Sequence, residues 1–150
     1  MSERRLALIV SVKPGSERRV ARDLMDALYS YDQEVHVEPL RGVLAIYSRL
    51  EPNDAERKLS NYPIRGMLAI RRVVIVSEAE DPRSSIEILL KEAASRGLRF
   101  SRLELRSREG KGRELEKYAR EMAKQLGLLG KEGVKARIMV FGSTSALCLR

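Results

Sequence analysis

Between Leu6 and Ser77 the apolar residues switch repeatedly between the alternating or unbroken runs of a strand and the three-to-four-residue spacing of a helix, an order that few folds satisfy. Leu6 to Val12 is an apolar run closed by Lys13-Pro14-Gly15, a buried strand and then a turn. Ser16 stands where it could cap a helix whose apolar positions, Val20, Leu24, Ala27 and Leu28, recur as far as Tyr29. Glu34 to Glu38 and Gly42 to Arg49 read as a hairpin joined at Leu40-Arg41. Pro52-Asn53 opens the next helix, with Asn53 and Glu56 in capping-box spacing and Ala55, Leu59 and Tyr62 on its apolar face, and Arg72 to Ser77 is a further buried strand. The order β-α-β-β-α-β predicts a ferredoxin-like unit over residues 1–79.

Residues 80–150 read as a second, small α/β module. Asp81-Pro82 starts a helix with Ser84 and Glu87 in capping-box spacing, Ile86, Leu89, Leu90 and Ala93 on one face and Gly97 as its stop. Leu98 to Arg106 is a strand with Leu103 and Leu105 on one side and Arg102, Glu104 and Arg106 on the other. A loop with Gly110 and Gly112 leads into a helix from Arg113 to Leu126, on which Leu115, Ala119, Met122 and Leu126 form one face. Val134 to Phe141 and Ser145 to Leu149 close the chain as a hairpin about Gly142-Ser143-Thr144. The fold class is α/β (α+β).

Composition excludes several functions. The 150 residues are 43% apolar and 33% charged, and no apolar run exceeds five residues, Leu6 to Val10, far short of the ~20 that span a bilayer. That run is also too short for a signal core and no small-residue cleavage site follows it, so a cytoplasmic protein without membrane contact is expected. A single cysteine, Cys148, and a single histidine, His36, exclude an internal disulfide and a Cys/His structural zinc site; no metal or cofactor is expected. Asn and Gln number two each, a scarcity that suits a thermophilic source. Gly110-Lys111-Gly112 is followed by Arg113 and lacks the leading glycine of a P-loop, and there is no dinucleotide fingerprint. Ser143, Thr144 and Ser145 read as turn residues rather than nucleophiles, His36 as a strand residue and Cys148 as a buried apolar side chain. Nothing resembles an active site, and the chain by itself is expected not to be an enzyme.

The net charge of +8 is unevenly distributed. Met1 to Asp81 holds 13 basic and 13 acidic residues, whereas Pro82 to Arg150 holds 16 and 8, so the whole excess lies in the second part. A local field steers a polyanion where a diffuse one does not. On the helix from Arg113, the residues Arg113, Lys117, Arg120 and Lys124 fall within about 60° of one another. The preceding strand and loop add Arg102, Arg106, Arg108 and Lys111 beside Gly112 at the helix start, where free N–H groups and the positive dipole end favour a phosphate oxygen. From Arg96 to Arg120, nine cations face four acids, Glu104, Glu109, Glu114 and Glu116. The candidate RNA-binding residues are therefore Arg102, Arg106, Arg108, Lys111, Gly112, Arg113, Lys117, Arg120 and Lys124, and Arg71 and Arg72 could extend the surface. Two plainer accounts stand beside this one. The helix stripe could be a solvated face with Lys117–Glu121 and Glu116–Arg120 pairs, or the chain could be a ferredoxin-like regulatory or assembly module for a small ligand or protein partner.

Three strings in the first part, LIVSVKPGSE (Leu8 to Glu17), GVLAIYSRLEPNDA (Gly42 to Ala55) and RRVVIV (Arg71 to Val76), are followed by RFSRLELRSREGKGRELE (Arg99 to Glu116) and ARIMVFGSTSALCLR (Ala136 to Arg150). In this order they resemble the THUMP-domain proteins of RNA modification, in which a ferredoxin-like unit precedes the THUMP module. The resemblance is strongest to the adaptor type that serves tRNA cytidine acetylation. It implies a non-catalytic protein that binds the acceptor stem and 3′ CCA end of tRNA for a modifying enzyme, such as an acetyltransferase, supplied in trans. The family's basic loop and helix correspond to Arg106, Arg108, Lys111, Arg113 and Lys117. The Asn-Pro-Asp turn common in the family is here Gly130-Lys131-Glu132-Gly133.

Overall fold

The structure, a computed structural model, describes residues 3–108 and 110–149; Glu109 of the basic loop and the terminal residues Met1, Ser2 and Arg150 lie outside the described residues. The chain is mixed α/β and divides into two compact units, 1–73 and 74–150. The division falls inside a strand, Met67–Glu78, rather than in a linker.

The first unit contains β1 (Arg5–Val12), α1 (Glu17–Tyr29), β2 (His36–Leu40), β3 (Val43–Ser48), α2 (Pro52–Ser60) and the first part of β4 (Met67–Glu78). Its strands lie in the order β2-β3-β1-β4, and β1 pairs antiparallel with both neighbours. Val20, Leu24 and Leu28 of α1 and Ala55 and Leu59 of α2 pack on Leu8, Val10, Leu44 and Ile46 of the central strands. Two cap expectations are corrected. Ser16 precedes α1, but its hydroxyl donates to the Lys13 carbonyl instead of capping the helix. Asn53 lies inside α2, which begins at Pro52 with Glu51 before it, since the fixed φ of proline suits the first helical position. The freed Asn53 Oδ1 accepts a hydrogen bond from Arg72.

The second unit contains the rest of β4, then α3 (Pro82–Ser95), β5 (Phe100–Ser107), α4 (Gly112–Gln125), β6 (Val134–Phe141) and β7 (Thr144–Leu149). Its strand order is β4-β7-β6-β5, with β6–β7 an antiparallel hairpin and β5–β6 parallel. A parallel pair needs a crossover, and α4 supplies it. The cap of α3 is Asp81, whose carboxylate accepts from the Ser84 N–H at 2.8 Å, rather than Ser84. Ile86, Leu89, Leu90 and Ala93 of α3 and Leu115, Ala119 and Ala123 of α4 pack on Leu103, Leu105, Ile138 and Leu147. The Ser145 hydroxyl, fully buried in β7 rather than in the turn, shares a 2.6 Å hydrogen bond with Ser85 of α3. Cys148 is buried on the opposite side of β7, and His36 is exposed on β2 beside Tyr47.

Candidate nucleic-acid interface

β5 ends the second unit's strand order, so one of its edges has no strand partner. Leu103 and Leu105 are buried under α4, while Arg102 and Arg106 are exposed and Glu104 half-buried on the other face of the sheet, the alternation a strand imposes. The open edge is occupied by α4. Glu116 Oε2 accepts from the Leu105 N–H at 3.0 Å, and Arg120 Nε donates to the Leu103 carbonyl at 3.1 Å. The two side chains are also paired with each other at 3.3 Å. Together they satisfy edge groups that would otherwise invite another strand. Glu116→Ala is therefore expected to cost about 1–2 kcal/mol by leaving the Leu105 amide without its acceptor. A lower urea midpoint than that of Glu121→Ala checks this, and light scattering should show faster self-association through the uncovered edge.

These contacts turn the basic side of α4 toward the β5 edge. Arg113, Lys117 and Lys124 are exposed along it, whereas Arg120, in the middle of the row, is committed to the strand edge. At the start of the helix, Gly110 and Lys111 are both left-handed, with φ of 85° and 57°. Lys111 is the one non-glycine residue with positive φ among the described residues. Such a conformation costs roughly 1 kcal/mol for an L-residue. Lysine has donors and no acceptor, so as the N-cap of α4 it leaves the first-turn amides uncapped by its own side chain, unlike Asp81 before α3. Gly112 has room for a methyl group, the nearest atom to an added Cβ being Ser107 N at 3.9 Å; Gly110 is the glycine its backbone requires. The exposed Arg108 anchors the other end of the loop, its N–H donating to the Val140 carbonyl at 3.0 Å.

On the opposite sheet face, Arg102 Nε meets Glu104 Oε1 at 3.0 Å and Arg137 Nη2 meets Glu104 Oε2 at 3.0 Å, so one carboxylate lies between two guanidinium groups. Arg71 and Arg72 belong to the first unit. Arg71 donates to Ser11 Oγ at 3.0 Å and Arg72 is held by Asn53 and Glu56. Among the described residues no group of three or more His, Cys, Asp or Glu could hold a metal ion. No helix among them is long and apolar enough to cross a membrane.

No protein-family model matches the sequence, and no curated protein matches it. Solved structures do match. A predicted N6-adenine-specific DNA methylase from Listeria monocytogenes superposes with a TM-score of 0.56 at 13% identity, over 96% of this chain and 40% of that one. A possible methylase from Clostridium difficile gives 0.55 at 12%, over 96% and 40%. A 4-thiouridine synthetase bound to RNA and ATP gives 0.51 at 15%, over 97% and 41%. Identities this low establish a shared fold. The chain spans about two fifths of the length of the solved chains it matches. The expectation of a protein that is no enzyme is corrected by these matches, since the solved chains with this fold named above are a predicted methylase, a possible methylase and a synthetase.

Proposed function

We propose that this chain supplies the RNA-holding part of an RNA-modifying enzyme, a ferredoxin-like unit followed by a THUMP-type module, with tRNA as its substrate. The observation that carries the reading is the exposed row Arg113, Lys117 and Lys124, which runs from the left-handed Gly110–Lys111 turn along the β5 edge, with Arg108 and Lys111 at its head. Amides at a helix start favour a phosphate oxygen, and a row of cations continues along a backbone. Phosphate contacts fix position without reading sequence, so selectivity comes from the shape of the acceptor stem and its 3′ end. The RNA bound to the 4-thiouridine synthetase, which shares the fold, supports the same assignment.

The test is a gel shift with intact tRNA and with tRNA trimmed of its 3′ CCA, over a series of salt concentrations. Binding should weaken with salt at a log–log slope of roughly 0.7–0.9 per phosphate contact, and trimming should weaken it further. Replacing Arg108, Lys111, Arg113 and Lys117 together by Ala should lower that slope by ~3. Binding that ignores salt and survives the quadruple replacement would overturn the proposal.

A further inference from the structure

At β5 and the start of β6, the side of the second unit's sheet turned away from α4 is cationic, whereas Met139 of β6 and Ala146 and Cys148 of β7 are buried on that same side. Its outward positions on β5 are Arg102, Glu104 and Arg106, and the parallel register sets Arg102 beside Lys135 and Glu104 beside Arg137 of β6. Along these two strands, four cations share this face with one carboxylate. That carboxylate is consumed inside the group, since Glu104 is bonded to Arg102 and Arg137. Arg137 is largely withdrawn from solvent, its Nε buried without a hydrogen-bond partner. It thus fixes Glu104, and Glu104 in turn fixes Arg102. Arg102, Arg106 and Lys135 remain exposed, with their charge turned outward.

Spacing decides what such a row can hold. Four residues along a strand cover about 13 Å, so Arg102 and Arg106 are too far apart to close on one small anion. Lys135 stands about 5 Å to the side of Arg102, one strand over. A row of this length suits successive phosphates of a chain. Because β5 is the last strand of the unit, this row and the α4 row flank the same edge, one on each side of the strand whose backbone Glu116 and Arg120 cover.

We propose that Arg102, Arg106 and Lys135 form a second set of RNA phosphate contacts, so that the RNA backbone is gripped on both sides of the β5 edge. This inference rests on the reading of the chain as an RNA-holding module and adds to it the path of the RNA around the unit.

The experiment measures bulk tRNA binding by fluorescence anisotropy across a salt series for the unaltered protein and two triple variants. One carries Arg102→Ala, Arg106→Ala and Lys135→Ala; the other carries Arg113→Ala, Lys117→Ala and Lys124→Ala. Each triple should lower the log–log salt slope by ~2–3 and weaken binding about tenfold at physiological salt. A sheet-face triple with unaltered affinity and slope, beside an α4 triple that loses both, would overturn the second contact set and leave the proposed function standing. Failure of the unaltered protein to bind tRNA would remove both. A readout independent of variant folding is the rate at which an amine-reactive reagent modifies Lys135 in the unaltered protein. Bound tRNA should slow it severalfold while Lys91, on α3, reacts at its free rate. Equal Lys135 rates with and without tRNA would overturn the inference.

Discussion

Gly133→Ala is expected to destabilise the second unit by about 3 kcal/mol, whereas Gly130→Ala, three residues earlier in the same turn, should be close to neutral. A Cβ on Gly133 would lie 2.5 Å from both the N and C atoms of Phe100 and 2.6 Å from the Arg99 carbonyl carbon. These are main-chain atoms of the segment entering β5, which cannot rotate away as a side chain would. That segment is also tied on both sides: Phe100 N–H donates to Leu128 O at 2.7 Å, Gly130 N–H to Phe100 O at 2.9 Å and Val134 N–H to Arg99 O at 2.9 Å. Relieving the overlap means breaking part of this ladder, at the point where the fully buried Phe100 joins the core. A Cβ on Gly130 would meet only the end of the Arg99 side chain at 3.8 Å. Urea unfolding of the two variants side by side checks the contrast. Equal midpoints would show that the turn yields without cost.

The same turn illustrates what a sequence displays and what it withholds. Gly130-Lys131-Glu132-Gly133 can be read as a turn from its residue types, yet only the approach of Phe100 distinguishes one glycine from the other. Elements with strong periodicity were legible throughout, including the order of strands and helices in the first unit and the core faces of α3 and α4. Boundaries shifted where a non-local contact decides them. β2 reads as Glu34 to Glu38 but forms at His36–Leu40, because the Asp32 carboxylate and carbonyl accept the N–H groups of Glu34 and Val35 and hold that stretch as a turn. β4 reads as starting at Arg72 but starts at Met67, since Met67 to Arg71 pairs with β1, 55 or more residues away in sequence.

The candidate interface was legible in charge and obscure in geometry. Helical spacing placed Arg120 at the centre of the α4 stripe, but it gave no sign that β5 would end the sheet and that its Leu103 carbonyl would take the Arg120 guanidinium. Alternation put Arg102 and Arg106 opposite Leu103 and Leu105, and so on the side of the sheet away from α4. Their neighbours Lys135 and Arg137 went unnoticed because a parallel pairing across 33 residues leaves no local signal. Two contiguous rows of cations thus replace the single stripe, and the strand edge between them is closed by the helix itself.

Asp32→Ala should strongly destabilise the first unit, and its effect should depend on pH. The carboxylate is buried and accepts three hydrogen bonds: from Glu34 N–H at 3.0 Å, from the Ser48 hydroxyl at 2.7 Å and from Arg49 N–H at 2.8 Å. It thereby ties the end of α1 to the end of β3. Ser48 is itself fully buried, so truncation leaves its hydroxyl and two amides short of a partner at ~1–3 kcal/mol for each group left unsatisfied. A loss of about 3 kcal/mol would lower Tm by roughly 15 °C in a unit of this size. Burial alone would push the Asp32 pKa up, but the bonds from Arg49, Ser48 and Glu34 and the nearby Arg49 charge outweigh it and hold the carboxyl below its ordinary 3.8. A carboxyl whose pKa is depressed on folding contributes stability above its unfolded pKa and loses it as pH falls through the folded one. The gap in Tm between the unaltered protein and Asp32→Ala should therefore be full at neutral pH and narrow below about pH 4, where the unfolded chain begins to take up the proton. Asp32→Asn, which keeps the shape but turns a donor toward donors, should also show a reduced stability at neutral pH, and its gap to the unaltered protein should narrow on acidification in the same way, because the titrating carboxyl is absent from both variants. Thermal melts of the three proteins from pH 7 to pH 3 check both statements, and a gap that widens on acidification would reverse the assignment.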